Sequence, residues 1–306
     1  MKQKAPRNKT LYLNAEEEKL YLKTALKLNK DICLAKAENH IILQDSSEAM
    51  DFLPESCVDL MIVDPPYNLT KNYAGNIFKK SNFDEYCQWL DSWLKKTNRL
   101  LKPDASVYIC SDWQTSIAIP LVAQKYFILR NRISWEREKG RSCAKNWKNC
   151  LEDIWFFTKS DNYIFNLDKV KMQRQVIAPY REKSGKPKDW IENNGQKVRL
   201  TAPSNCWTDI TIPFWSMPEN TEHPTQKPEK LIAKLILASS KAGDLVFDPF
   251  VGSGTTAVVA KKLSRNYIGI EREKKYAALA LKRLELAEEN KKIQGYEDGV
   301  FKYRNS

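Results

Sequence analysis

Apolar residues follow two different spacings along this chain. Val58-Asp59-Leu60-Met61-Ile62-Val63 is nearly continuous, which predicts a strand buried on both faces, as in the middle of a parallel sheet. Residues 105–110, 127–135, 153–158, 245–247 and 267–270 are predicted as further strands. Between them the apolar positions move to helical spacing. Residues 83–101 place Tyr86, Leu90, Trp93 and Leu94 on one face, and 113–125, Glu229–Ser239 and 257–263 also read as helices. Near the start, Asn14 can cap a satellite helix running to Leu28. Strands alternating with helices predict an α/β fold.

The strand at 58–63 ends in Asp64-Pro65-Pro66-Tyr67. Open α/β sheets bind ligands at the carboxyl ends of their strands, so these four residues stand at a site edge. Proline fixes its own φ and has no N–H. The Asp64 carboxylate and the proline carbonyls therefore form a stiff surface that only accepts hydrogen bonds. Such a surface suits an exocyclic amino group on a flat ring, with Tyr67 available to stack on the ring face.

A second signal lies almost two hundred residues later. The strand at 245–247 runs into Asp248-Pro249-Phe250-Val251-Gly252-Ser253-Gly254-Thr255-Thr256 and then the helix from 257. Strand, glycine-rich turn and helix start is the geometry of a nucleotide-type cofactor loop. Gly252 and Gly254 permit positive φ and close approach of a ligand. The helix start offers free N–H groups that suit a carboxylate. No Gly-Lys-Ser/Thr follows, so this is not a Walker loop, and the third glycine of the dinucleotide fingerprint is missing. The next strand ends in Glu271, placed to accept bonds from both hydroxyls of a ribose.

Asp-Pro-Pro-Tyr resembles the catalytic motif of amino-group DNA methyltransferases, and the 248–256 loop resembles their S-adenosylmethionine loop. The catalytic motif comes first, which is the permuted order of the beta class of these enzymes. The segment His223-Pro224-Thr225-Gln226-Lys227-Pro228 is similar to the family segment ahead of the cofactor strand. The resemblance covers about residues 39–289. It implies a permuted, Rossmann-like methyltransferase fold: a mostly parallel sheet, helices on both faces, and a smaller target-recognition segment. It implies catalytic roles for Asp64, Pro65, Pro66 and Tyr67. Asp45, Thr225, Lys227, Asp248, Pro249, Phe250, Gly252, Gly254, Thr255 and Glu271 are implied to bind S-adenosylmethionine. Asp45 would contact the adenine of the cofactor, although Gln44 stands where the family more often has Gly, and Lys227 would reach the methionine carboxylate. The implied reaction is methylation of adenine N6 in double-stranded DNA after base flipping. Cytosine N4 remains an alternative, as do a catalytically silent DNA-binding partner and a small-molecule or RNA methyltransferase.

Composition changes this picture little. The 306 residues carry 50 Lys+Arg against 38 Asp+Glu, a net charge of +12, which suits a polyanionic partner. Seven Cys without a CxxC pair and two His give no zinc spacing, so no metal is expected and the thiols read as free in a reducing cytoplasm. No membrane segment or signal peptide is expected. The chain is expected to be cytoplasmic and nucleoid-associated, a monomer or homodimer, with a restriction endonuclease as a functional companion.

The expected division is an extension (1–38), a catalytic half (39–165), a target-recognition region (166–222), a cofactor half (223–290) and a tail with little signal (291–306). Residues 68–80 read as a polar, mobile loop over the target base, carrying Lys71, Lys79 and Lys80. Residues 136–150 carry Arg137, Lys139, Arg141, Lys145 and Trp147 and read as a DNA-facing loop. In 166–222, Arg174, Arg181, Lys188 and Arg199 are the candidate base readers.

Overall fold

A computed structural model describes residues 5–137, 144–177, 179–193 and 195–302. Lys139 and Arg141 lie outside the described residues. In chain order the elements are α1 (Ala15–Leu22), α2 (Leu34–Ala37), β1 (His40–Leu43), α3 (Ser46–Asp51), β2 (Val58–Val63), β3 (Lys71–Tyr73), β4 (Asn76–Phe78), α4 (Phe83–Leu100), β5 (Leu101–Asp112), a 3-10 turn (Thr115–Ile117) and α5 (Ala118–Ala123). Then come β6 (Ile128–Glu136), β7 (Leu151–Thr158), a second 3-10 turn (Leu167–Val170), β8 (Met172–Gln175), β9 (Ile191–Asn193), β10 (Gln196–Thr201) and β11 (Cys206–Trp207). Last are α6 (Glu229–Ser239), β12 (Leu245–Asp248), α7 (Thr255–Lys262), β13 (Asn266–Glu271), α8 (Lys274–Glu289), β14 (Tyr296–Glu297) and β15 (Val300–Phe301).

The main sheet has the order β1-β13-β12-β2-β5-β7-β6-β11. The pairs from β1 to β5 are parallel, as is β6 with β11, while β7 runs antiparallel to both its neighbours. Successive side chains of a strand point to opposite faces. Leu60 and Ile62 accordingly join a core with α6, α7 and α8, whereas Met61 and Val63 join a core with α3, α4 and α5. Helix α4 is fixed at its start by a capping box between Asn82 and Glu85 and buries Tyr86, Leu90, Trp93 and Leu94. Among the described residues no helix is long and apolar enough to cross a membrane.

β2 and β12 are adjacent and parallel, with Val246 opposite Leu60 and Phe247 opposite Met61. This pairing puts Asp64 and Asp248 at the same edge of the sheet, although most of the chain separates them.

Several elements depart from the sequence pattern. The first helix, capped by Asn14 with Glu17, stops at Leu22 rather than Leu28. Leu26 instead bonds to Ile41 and Leu43, covering the open edge of β1. Helix α1 packs on α8, where the Tyr21 hydroxyl donates to Glu285 at 2.6 Å. The 113–125 helix begins as a 3-10 turn and becomes α-helical only at Ala118.

The 68–80 segment is a hairpin, β3–β4, not an irregular loop. Ala74 and Gly75 both have positive φ, as a tight hairpin turn requires. The tail also has structure. β14 and β15 join β8, β9 and β10 in a five-stranded second sheet, with Phe301 opposite Met172 and fully buried. Its short strands hide from periodicity, because only the buried ring of Phe301 marks them. Residues 206–207 leave that region and extend the main sheet.

Candidate active site

One pocket lies along the carboxyl edge of β2, β12 and β13. It is lined by Asp45, Asp64, Pro65, Pro66, Tyr67, Lys71, Thr225, Lys227, Asp248, Pro249, Phe250, Gly252, Thr255 and Glu271, so most residues singled out from sequence meet in one place. Gly254 stands just behind. A Cβ there would come within 2.6 Å of the Ala280 Cβ, so glycine lets α7 seat against α8. Asp45 accepts the Ser47 N–H at 2.9 Å and caps α3.

On the β12 side the acids are held by the loop itself. Asp248 accepts the Phe250 N–H at 3.0 Å and the Thr256 hydroxyl at 2.7 Å. Glu271 accepts the Gly252 N–H at 3.0 Å and the Glu273 N–H at 2.7 Å. Burial pushes the carboxyl of each up to about 7, against the pull of these donors. Gly252 has φ +54°, and a Cβ there would lie 3.0 Å from Nε2 of His223. Burial lowers His223 to about 4, so its ring is neutral.

On the β2 side the partners are side chains. Asp64 Oδ1 accepts the Tyr67 hydroxyl at 2.8 Å, and Oδ2 takes the Lys227 ammonium at 2.5 Å. Lys227 is thus bonded to the acid of the 64–67 motif, where the sequence resemblance had it reaching a cofactor carboxylate. Burial opposes its charge, but Asp64 and Glu152 outweigh burial and raise its pKa. Tyr67 is held far above the usual tyrosine value by burial and then by the same two acids, so its hydroxyl keeps its proton. The Tyr86 hydroxyl donates to the Pro66 carbonyl at 3.0 Å and fixes the double-proline turn on α4.

The β3–β4 hairpin roofs the pocket. Lys71, Tyr73 and Phe78 line it, and the Asn76 amide lies 2.8 Å from both oxygens of Glu273. Phe78, Trp89, Trp93 and Phe250 form an aromatic wall, with Trp89 and Phe250 centroids 5.9 Å apart.

Residues expected to face DNA scatter more widely. Lys79, Lys80, Lys145 and Trp147 are exposed, Trp147 to 92%. Arg137 turns inward to Glu152 at 2.5 Å. Arg174 faces Arg199 across β8 and β10, and Arg199 pairs with Asp189 at 3.0 Å. Arg181 donates to the Gly185 carbonyl and lies over Trp190, and Lys188 is exposed beside it.

Glu152, His223, Tyr73, Trp89 and Glu273 were not singled out from sequence. Glu152 shares the start of its strand with a second acid, Asp153, so no local pattern marked it. Because β7 is antiparallel, its first residues lie at the mouth formed by the last residues of β5, with Glu152 opposite Asp112.

A nucleotide-type loop and an acceptor-rich turn sharing one pocket define a group-transfer site built for a cofactor and an amino-bearing substrate. The DNA methylase family model matches residues 58–282, and the chain belongs to this N6/N4 DNA methylase family. DNA adenine methyltransferase YhdJ of Escherichia coli K12 is 35% identical over 254 residues, covering 81% of this chain and 83% of the relative. Type II methyltransferase M.HpaI of Haemophilus parainfluenzae is 35% identical over 251 residues, covering 81% and 74%. Among solved structures, the M1.HpyAVI–SAM complex matches with a TM-score of 0.54 and 26% identity over 80% of this chain and 98% of that one. The cytosine-N4-specific PvuII DNA methyltransferase matches with a TM-score of 0.58 and 22% identity over 80% and 85%, a likeness of fold.

Proposed function

We propose that the chain transfers a methyl group from S-adenosylmethionine to adenine N6 at a specific sequence in double-stranded DNA. The observation that carries this reading is the acceptor-rich turn 64–67 opening into the same pocket as the Gly252 loop and Glu271. The adenine assignment is supported by the name of one relative at 35% identity, a DNA adenine methyltransferase. Relatives named as type II methyltransferases support a companion restriction endonuclease.

The pocket fits the cofactor. The positive φ of Gly252 brings backbone to the cavity wall, Glu271 offers carboxylate oxygens to ribose hydroxyls, and the Trp89–Phe250 wall offers a flat apolar face. Asp45, Thr225, Asp248, Pro249, Phe250, Gly252, Thr255 and Glu271 are the residues to hold it. When bound, S-adenosylmethionine supplies an electrophilic methyl on a sulfonium. The protein's work is then orientation and electrostatics. Adenine N6 is a poor nucleophile because its lone pair is delocalised into the ring. Asp64 and the Pro65 carbonyl take its two hydrogens and turn its lone pair toward the methyl. The Pro66 carbonyl is already occupied by Tyr86. The base reaches the pocket by leaving the duplex, at a cost of a few kcal/mol offset by stacking.

Residues 166–222, which supply β8, β9 and β10 of the second sheet, are proposed to read the DNA sequence through Arg174, Arg181, Lys188 and Arg199. Lys71, Lys79, Lys80, Lys139, Arg141, Lys145 and Trp147 are proposed to hold phosphates and the opened base, whereas Arg137, expected to join them, is engaged by Glu152 inside the pocket. The test is methylation-sensitive sequencing of DNA from a host expressing the chain. N6-methyladenine in one sequence context is the expected result. N4-methylcytosine would move the reading to cytosine, and no new mark would overturn it.

A further inference from the structure

A second carboxylate, Glu152, stands in the catalytic pocket beyond Lys227, outside the 64–67 motif. Its side chain is 5% exposed. One oxygen takes the Arg137 guanidinium at 2.5 Å. The other lies 3.3 Å from Lys227 Nζ and 3.4 Å from the Tyr67 hydroxyl. Lys227 is closer to Asp64, at 2.5 Å, and lies 3.2 Å from the same hydroxyl. Two acids and two bases thus alternate in a row, Arg137–Glu152–Lys227–Asp64, and Tyr67 touches the last three.

This row holds a conflict. Asp64 has to accept a substrate amino hydrogen, yet one of its oxygens holds a buried ammonium and the other holds Tyr67. The ammonium draws off the negative charge that makes Asp64 a strong acceptor. Withdrawing Lys227 alone would strand a buried charge, which is strongly unfavourable. A second acid beside the same nitrogen removes that obstacle. A small swing of the Lys227 side chain exchanges one carboxylate for the other, and Arg137 holds Glu152 in place to receive it.

We propose that Glu152 is a positioning residue that receives the Lys227 ammonium when Asp64 turns to the substrate amino group. This rests on the methyl-transfer reading above. With Glu152→Gln, Lys227 has only Asp64 to pair with and stays locked on it. The cofactor loop is untouched.

The experiment is a double-variant cycle in the full chain: parent, Glu152→Gln, Lys227→Met and both together. Single-turnover methyl transfer to duplex DNA is read at saturating cofactor, alongside cofactor affinity and melting temperature. Glu152→Gln is expected to slow transfer on the order of 30-fold, the scale of losing part of one charged acceptor, with cofactor affinity and melting close to the parent. Adding Lys227→Met should speed that variant up, because no ammonium then competes for Asp64. A structural role for Glu152 predicts that the two losses multiply and that melting falls with the rate. Parent-like transfer by Glu152→Gln, or multiplied losses in the double variant, overturns the proposal. Should Glu152→Gln fail to fold, Glu152→Asp keeps the charge but draws the acceptor back; slower transfer is expected, and a parent-like rate overturns the proposal. A parent that methylates no DNA overturns the methyl-transfer reading and the proposal with it, whereas an active parent with an unimpaired Glu152→Gln overturns the proposal alone.

Discussion

Asp64 and Asp248 end neighbouring parallel strands at one edge of one sheet, yet their carboxylates are held in opposite ways. Asp248 bonds a backbone N–H two residues on and a threonine on the next helix, both within its own loop. Asp64 bonds Tyr67 and Lys227, side chains that can turn away. An acid held by its own loop shapes that loop. An acid held by side chains can change partners when a substrate arrives. Position in the fold therefore places an acid at the mouth, and the kind of donor facing it decides whether it builds the site or works in it.

The largest expected effect tests that contrast directly. Asp64→Ala should slow methyl transfer about 30- to 1,000-fold, a loss of about 2–4 kcal/mol of transition-state stabilisation, while cofactor affinity stays near the parent's. Calorimetry showing lost cofactor binding in this variant would mean that Asp64 belongs to the loop-building class after all.

The converse variant lies in the loop. Gly252→Asp puts a side chain on a residue with φ +54° and a Cβ 3.0 Å from His223, and adds negative charge beside Glu271. Cofactor binding should fall by about 1–3 kcal/mol from strain and repulsion. Parent-like affinity would show that the loop has room which the contact to His223 denies.

How much of this was legible follows the same division. The loop-building half could be read because backbone geometry demands particular residues: Gly252 and Gly254 for positive φ, Asp248 and Glu271 at strand ends. The long buried strand at 58–63 and the amphipathic α4 were legible from spacing alone. Glu152 was not, because its place at the mouth depends on β7 running antiparallel, and no local pattern gives strand direction. The 68–80 hairpin escaped because Ala74, with φ +50°, takes a turn position where Gly or Asn would have announced it. The β14–β15 tail escaped because strands of two residues have no period. The Lys227–Asp64 pair joins residues far apart in sequence, and only the folded sheet brings them together.

A smaller effect concerns Glu271. Its folded pKa is about 7 against a usual 4.5, so between those values the folded chain binds more protons than the unfolded one. Stability without ligand should therefore fall as pH rises through that window and level off above 7. Cofactor binding should run the other way. Ribose hydroxyls donate to the carboxylate, so affinity should rise toward pH 7, by at most about tenfold per pH unit, and then flatten. Glu271→Gln should remove the slope. If the slope survives in that variant, Asp248, also near 7, is the group that titrates.

The smallest effect separates holding DNA from reading it. Lys145 is an exposed base in the connection between β6 and β7, and Arg174 stands on a strand of the second sheet. A phosphate contact positions the duplex without carrying sequence information, whereas a contact to a base edge does carry it. Lys145→Ala should weaken binding to every sequence alike and lower the salt dependence by about one counterion. Arg174→Ala should change the preferred sequence at a single position, at about 1–3 kcal/mol for that base pair. Both variants can be profiled on a randomised duplex library, scoring methylation against sequence at two salt concentrations. Arg174 faces Arg199, and Arg199 is paired with Asp189, so two like charges face each other across this stretch of sheet. That surplus of positive charge is what guanine O6 and N7 would satisfy in a major groove. If Arg174→Ala lowers activity evenly and Lys145→Ala shifts the preferred sequence, the reading surface lies in the β6–β7 connection and the second sheet serves as its support.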